Sequence, residues 1–332
     1  MAPKHIAVIA QPQSAATDYY RTIVPLQHLA RTTGEITVSV HEPGEARWYD
    51  MASADIVVLC RPNGDSFLQI MSEVKRMETV RIWSDFDDDL FNITPANPAH
   101  AHFNRDQIKK TVRDALALSD VVTVSTKTLE QLYGPLMPQP RITVIPNAYN
   151  HYDRPFLPIR PQKKPIRLFW RGSATHIHDL YTIQGVLNAA VQSKEFDVAF
   201  LGIDTWMLPW LSPGYKIQPW KTLYSYLDDL PRVAPDWIVV PLENTAFNQA
   251  KSNIAWIEAT TVGAACLAPA GMPEWVRPGI LRYENEDHLF QLMKDISSGG
   301  ITKEPLVEES RLWLNNFLRL EQVNETRLDV IR

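Results

Sequence analysis

Residues 236–269, DWIVVPLENTAFNQAKSNIAWIEATTVGAACLAP, decide how the chain is read. An apolar run ends at Pro241-Leu242, and a polar loop leads to Lys251. A helical pattern over 252–262 follows, Gly263 stops it, and AACLA (264–268) reads as another strand. Strand, helix, strand is the repeating unit of a parallel sheet. Lys251 and Glu258 share one face of this helix, about 10 Å apart along its axis. That span suits an extended nucleoside diphosphate, with the ammonium on the diphosphate and the carboxylate on ribose hydroxyls. A lysine at a helix start opposes the macrodipole, so it needs another reason to be there. The plainer alternative is a solvated Lys and Glu on an exposed face.

The same alternation extends outward in both directions. Strand-type runs fall at 5–10, 36–40, 55–60, 80–84, 121–125 and 141–145, then at 166–170, 196–202, 236–242 and 264–268. Helical patterns fall near 18–31, 66–77, 104–118, 126–133, 178–193, 221–230, 252–262 and 286–296, and the tail from 308 reads as helix throughout. Between the halves, PNAYNHYDRPFLPIRPQKKP (146–165) carries five prolines and no periodicity. The chain is therefore expected to be α/β, with domains at 1–150 and 166–305, a linker at 151–165 and a closing helical segment at 306–332. Ligands of such folds lie at the carboxyl ends of the strands, and between two domains the cleft is favoured.

Bulk properties narrow the chemistry. The 332 residues are 45% hydrophobic and 21% charged, and a net charge of -5 gives no reason to expect nonspecific nucleic-acid binding. Cys60 and Cys266 lie in apolar runs, as reduced thiols of a cytoplasmic protein would. No apolar run reaches the roughly 18 residues that span a bilayer, so no integral membrane association is expected. The start, MAPKHIAVIA, reads as a first strand rather than a signal peptide. The glycine fingerprints of dinucleotide and nucleoside-triphosphate sites are missing, as are zinc-ligand spacing and a nucleophile elbow.

Further features concern ligands. Arg171, Gly172 and Ser173 fall where a strand ends and a helix will begin, a place where backbone N–H groups attract phosphate oxygens. An ordinary loop is the alternative. VRIWSDFDDDLFNI (80–93) places Asp85, Asp87, Asp88 and Asp89 just past a strand end. These carboxylates fit a Mg²⁺ or Mn²⁺ site, an acceptor-activating position in a cleft, or a solvated capping loop. The loop after the first strand, QPQSAATDYYRTIVP (11–25), offers Tyr20 and Arg21 to the same cleft. Arg105, Lys109 and Arg113 make one basic stripe, either solvated or facing a phosphate-bearing acceptor. Three tryptophans at 205–220 read as loop packing, with membrane-surface contact as a minor alternative.

The 236–269 stretch resembles the donor-binding region of GT-B fold, nucleotide-sugar-dependent glycosyltransferases, the group that includes many retaining enzymes. Asp236, Pro241, Leu242, Asn248, Lys251, Ser252, Asn253, Glu258 and Gly263 fill that group's acidic residue, Pro-Leu, lysine, glutamate and glycine places. Arg171-Gly172-Ser173 matches its phosphate turn, with His176 and His178 where a lysine often follows. RITVIPNAYN (141–150) is similar to the segment that closes its first domain, and Asn147 is the asparagine there. DDDLF also resembles an acidic motif of some bacterial and phage members. The group's Glu-x7-Glu keeps only its second glutamate, because Ala250 holds the first place.

This resemblance implies two Rossmann-like domains facing each other across a cleft, with a C-terminal helix crossing back to the first. It implies Arg171 and Lys251 as the cations for the departing diphosphate. Gly172, Ser173, His176, Asn248, Ser252, Asn253 and Glu258 would bind the nucleotide sugar. An aspartate among Asp87, Asp88 and Asp89 would handle the acceptor proton, and Tyr20, Arg21 and Asn147 would face the acceptor. The implied activity is sugar transfer to a hydroxyl of a glycan, lipid-linked glycan, protein or DNA base, with retention of configuration. No metal is required, with Mg²⁺ or Mn²⁺ at Asp85 and Asp87 as the alternative. Two other readings stand beside it: transfer to hydroxylated bases in DNA, and non-catalytic binding of a nucleotide sugar.

Overall fold

The computed structural model describes residues 2–10, 16–137 and 142–332. Residues 11–15, the start of the loop after the first strand, and residue 141, where the sixth strand was expected to open, lie outside the described residues.

The first half holds β1 (Lys4–Ile9), β2 (Ile36–His41), β3 (Ile56–Cys60), β4 (Arg81–Phe86), β5 (Val121–Val124) and β6 (Ile142–Val144). They form one sheet in the order β2-β1-β3-β4-β5-β6, parallel throughout. The second half holds β7 (Ile166–Arg171), β8 (Phe196–Leu201), β9 (Lys216–Gln218), β10 (Trp237–Val239), β11 (Ala265–Pro269) and β12 (Ile280–Tyr283). They form a second parallel sheet, in the order β12-β11-β10-β7-β8-β9. Central strands such as β3 are buried at every residue, which is why their sequences read as unbroken Val/Ile/Leu runs. Sequence pattern found all six strands of the first half and missed β9 and β12 of the second. Both are sheet edges, partly exposed, and an edge strand need not be apolar on both faces.

The helix before β11 runs Ile254–Thr261, shorter than its pattern suggested. Gly263 then takes φ +76°, the left-handed region, and a Cβ there would lie 3.2 Å from the Pro158 carbonyl oxygen. The helix therefore stops where the proline-rich segment passes, and Leu157 N–H donates to Thr261 O at 2.9 Å.

The tail is two helices, Lys303–Phe317 and Leu320–Ile331, rather than one. The break falls where Tyr149 N–H donates to Leu318 O (2.7 Å) and Leu320 N–H donates to Tyr149 O (2.9 Å). The first helix packs on the second half, with Trp256 Nε1 donating to Ser310 Oγ at 2.9 Å. The second crosses back to the first half, with Asn324 Nδ2 on Pro25 O at 3.0 Å and Arg81 Nη2 on Val330 O at 3.0 Å. One apolar core runs through both halves, from Val8 and Trp83 by Tyr149 to Trp256, Leu314 and Leu320.

Asp236 immediately precedes β10 and is buried. It accepts from the Arg167 backbone and guanidinium and from Lys303 Nζ at 2.6 Å. Burial pushes this carboxyl up, and the bonds from Arg167 and Lys303 outweigh burial and hold it below the ordinary range. A depressed folded value contributes stability that is present above about pH 3.9 and is lost as pH falls through the folded value. Thermal melts between pH 6 and 2 should therefore fall more steeply in the wild type than in Asp236→Asn. Equal slopes would remove this carboxylate from the acid response.

Candidate functional site

In each sheet the chain reverses its winding once. In the first this happens between β1 and β3, in the second between β7 and β10. A crevice opens at the carboxyl ends of strands beside such a reversal. The two crevices face each other across a cleft cavity of about 210 Å³, whose wall includes Asp88, Arg171, Gly172, His176, Lys251 and Glu258.

The second-half floor of the cleft is a charged knot. Arg171, last residue of β7, places Nη2 2.6 Å from Glu258 Oε2. Tyr226 donates to the same oxygen at 2.7 Å, and Tyr20 reaches across from the first half to donate to Oε1 at 2.8 Å. Tyr20 and Arg21 sit on a π-helical stretch, Tyr19–Ile23, inside a longer helix; such bulges re-aim side chains. Burial, reinforced by Glu258, pushes both tyrosine hydroxyls well up, so they stay neutral donors. Burial works against the Arg171 charge, but Glu258 outweighs it and keeps the guanidinium charged. Arg171 Nε is buried with no hydrogen-bond partner among the described residues.

The turn behind Arg171 is tight. Gly202 has φ +99°, and a Cβ there would sit 2.0 Å from the Gly172 carbonyl oxygen. Only glycine permits this approach. The helix expected next is short: a 3₁₀ turn, Ala174–His176, and five residues, Ile177–Tyr181, before a second helix, Gln184–Ser193. A helix that short has little macrodipole, so charge here comes from side chains.

Lys251 lies three residues ahead of its helix rather than at its first turn. Its Nζ is 2.7 Å from Asp88 Oδ1, across the cleft, and 4.3 Å from the Phe247 ring centre. This pairing supplies the reason for a cation near the helix start. Asp88 also meets Arg61 Nη1 at 3.3 Å. Burial pushes the Asp88 carboxyl up, but Lys251 and Arg61 outweigh it and hold it below the usual range. Asp87 is pushed up by burial and by Asp88 and Asp85, against the pull of Arg61; Thr17 donates to it at 2.9 Å. Arg61, which pairs with both, holds φ +45° to do so.

The four aspartates thus do not converge. Both oxygens of Asp85 receive Arg21, Nε and Nη2 each at 2.8 Å, and both residues are buried. Asp89 turns into its own loop and accepts from Phe91 N at 2.8 Å and Asn92 N at 3.0 Å. No group of three His, Cys, Asp or Glu residues that could hold a metal occurs among the described residues. Asp85, the first residue of the Asp85/Asp87 metal alternative, gives both oxygens to a guanidinium, and Asp89, one of the catalytic candidates, gives its own to N–H groups of its loop.

Other expected residues divide. Tyr20, Asn147, Ser252 and Gly172 line the cleft. Asn147 joins the halves, donating to Ser252 Oγ at 2.8 Å and accepting from Arg21 at 3.2 Å. Arg21 borders the cleft, yet its donors go to Asp85, Ile145 O and Asn147, a structural rather than acceptor-facing role. Ser173 bonds Thr175, Asn248 bonds Asp179 and Glu243 O, and Asn253 bonds Glu274 O; these shape loops behind the wall. The basic stripe disperses, with Arg105 on His102, Lys109 on Asn104 and Arg113 over the Phe91 ring.

Sequence reading missed Tyr226, Arg61, Asp179, Trp220 and Trp275. Trp275 is buried in the cleft wall and its Nε1 has no partner among the described residues; Trp220 is 56% exposed there. No local pattern marks these residues, because each meets the site only through the fold.

No protein-family model matches the chain, and no curated protein sequence does. Solved structures do. An α-glucosyltransferase in complex with UDP and a 13-mer DNA containing a HMU base has TM-score 0.68 at 10% identity, covering 99% of each chain. Sucrose-phosphate synthase from Thermosynechococcus elongatus has TM-score 0.65 at 12% identity, over 99% of this chain and 98% of that one. HepE of Anabaena in complex with UDP-glucose has TM-score 0.64 at 11% identity, over 99% of both. The fold is that of the GT-B glycosyltransferases, along the whole chain.

Proposed function

We propose that this protein transfers a sugar from a nucleoside diphosphate sugar to a hydroxyl acceptor in the cytoplasm, with retention of configuration. One observation carries the reading. Arg171, His176 and Lys251 converge on a single cavity at the winding reversal of the second sheet, opposite Asp88 of the first.

In the reaction the bond from the sugar's anomeric carbon to the diphosphate oxygen breaks, and a bond from that carbon to the acceptor oxygen forms. The acceptor proton passes to Asp88 or to the departing phosphate. Negative charge grows on the diphosphate, and Lys251 and Arg171 are the fixed cations that stabilise it. Glu258 has about four acceptor positions and three donors on it, which leaves room for one ribose hydroxyl. Before the donor arrives, Lys251 holds Asp88. The diphosphate replaces that carboxylate, so binding frees Asp88 as it fills the site. The protein's own cations supply the charge, and no step is routed through a metal.

The test is a thermal-shift panel of nucleoside diphosphates and their sugars, followed by diphosphate release with candidate acceptors. Donor at 100 times its Kd adds about 2.7 kcal/mol of stability, an easily measured rise. No rise with any donor defeats the proposal; a rise without diphosphate release from any donor and acceptor pair favours the non-catalytic reading. The likeness to the DNA-bound α-glucosyltransferase favours a hydroxylated DNA base as a second acceptor reading. Transfer to such DNA that weakens with salt and is lost when Arg105, Lys109 and Arg113 are neutralised would select it.

A further inference from the structure

His176 closes the 3₁₀ turn behind Arg171-Gly172-Ser173. Its Nδ1 lies 2.8 Å from Asp179 Oδ2. Asp179 is buried and held from two other sides: its Oδ1 accepts from Glu243 N–H at 2.9 Å and from Asn248 Nδ2 at 2.7 Å. A carboxylate pinned this way fixes the ring. Nδ1 keeps its proton toward Asp179, and Nε2 is left to another partner. Nε2 makes no hydrogen bond among the described residues, and the residue lines the cleft beside Gly172.

The charges around it restrict what that partner is. Asp179 and Arg171 face it from its own half, Lys251 from the loop ahead of the Ile254–Thr261 helix, and Asp88 from the first half. Asp88 is paired with Lys251 and Arg61, and Arg171 with Glu258. Lys251 is therefore the one cleft cation, among these, whose partner the diphosphate displaces. A nucleoside diphosphate sugar brings two negative charges to the same cavity.

We propose that His176, oriented by Asp179, is a third cation for the diphosphate beside Lys251 and Arg171, so that donor binding takes up a proton on its ring. This rests on the proposed function and deepens it: the donor site is proton-linked in the range where histidine changes charge, pH 5 to 8. A mainly structural histidine would serve Asp179 without any exchange of protons on binding.

Calorimetric titration with UDP-glucose, in two buffers of different ionisation enthalpy between pH 5.5 and 8.5, tests it. ADP-glucose and GDP-mannose serve in turn if UDP-glucose does not bind. In such donors both phosphates are diesters with no proton to lose near neutrality, so any uptake belongs to the protein. Wild-type affinity should fall about tenfold as pH rises across this range, the size of an ordinary coupling between sites, with net proton uptake near pH 7. His176→Gln should bind weakly, without pH dependence or uptake; His176→Lys should bind tightly and without pH dependence. Uptake that persists in His176→Gln assigns the proton to Asp88 and overturns the proposal, as does pH-independent binding by the wild type. Wild-type protein that binds none of the three donors at any pH defeats the donor reading itself, and this inference with it.

Discussion

Lys251→Ala should lower kcat/KM for sugar transfer by roughly 10² to 10³, the loss that follows removal of one preorganised charge-stabilising donor. The ammonium sits 2.7 Å from Asp88, both side chains more than four-fifths buried, in the cavity where the diphosphate is placed. Charge on the departing group grows in the transition state, so the loss should fall on kcat as well as on binding. A second signature separates this role from simple loss of the ion pair. Lys251 is the leading attraction that holds the Asp88 carboxyl below the ordinary range against burial. Without it, burial is opposed by Arg61 and His176 and no longer by the ammonium, so the value rises. The acid limb of the empty enzyme's rate profile should therefore move to higher pH in the variant. Unchanged kcat/KM together with an unchanged acid limb would remove Lys251 and Asp88 from the chemistry.

Asp85→Ala should cost about 3–5 kcal/mol of folding stability, the loss typical of breaking a buried pair by deleting one partner. Asp85 accepts two guanidinium bonds from Arg21 and one from the Thr123 hydroxyl. Arg327, from the returning helix, is buried close enough to feel both Arg21 and Asp85; burial and Arg21 push it down to about 9. Its Nε and Nη2 have no hydrogen-bond partners among the described residues. Deleting the carboxylate leaves two buried guanidiniums facing each other. Equilibrium urea denaturation reads the loss as a lower midpoint. Full stability in Asp85→Ala would overturn this role, and wild-type activity that requires added Mg²⁺ and is lost in the variant would favour the metal reading.

Sequence alone determined a good deal. The apolar runs of the central strands, the helical periods between them and the proline-rich segment at 146–165 specify two α/β halves. A strand covered on both faces must be apolar at every position, and that is legible in one line of residues. The Arg171-Gly172 turn and the Lys251 and Glu258 pair were legible as well, since strand-end glycines and isolated charges beside apolar runs stand out locally.

Only the tertiary structure decided who meets whom. Four aspartates in five positions look like one site, yet Asp85 faces Arg21, Asp87 faces Arg61, Asp88 faces Lys251 and Asp89 faces its own loop. Those partners lie up to 163 positions away. Glu258 reads as an open ribose contact until Tyr20, 238 positions distant, closes on it. The edge strands β9 and β12 carry too little apolar pattern to be read, because solvent takes part of their surface. Local sequence fixes what a backbone segment buries, since burial is a property of each residue's own chemistry. The partner of a charge is chosen by chain reversals that bring distant segments together, and those are settled only when the two sheets pack.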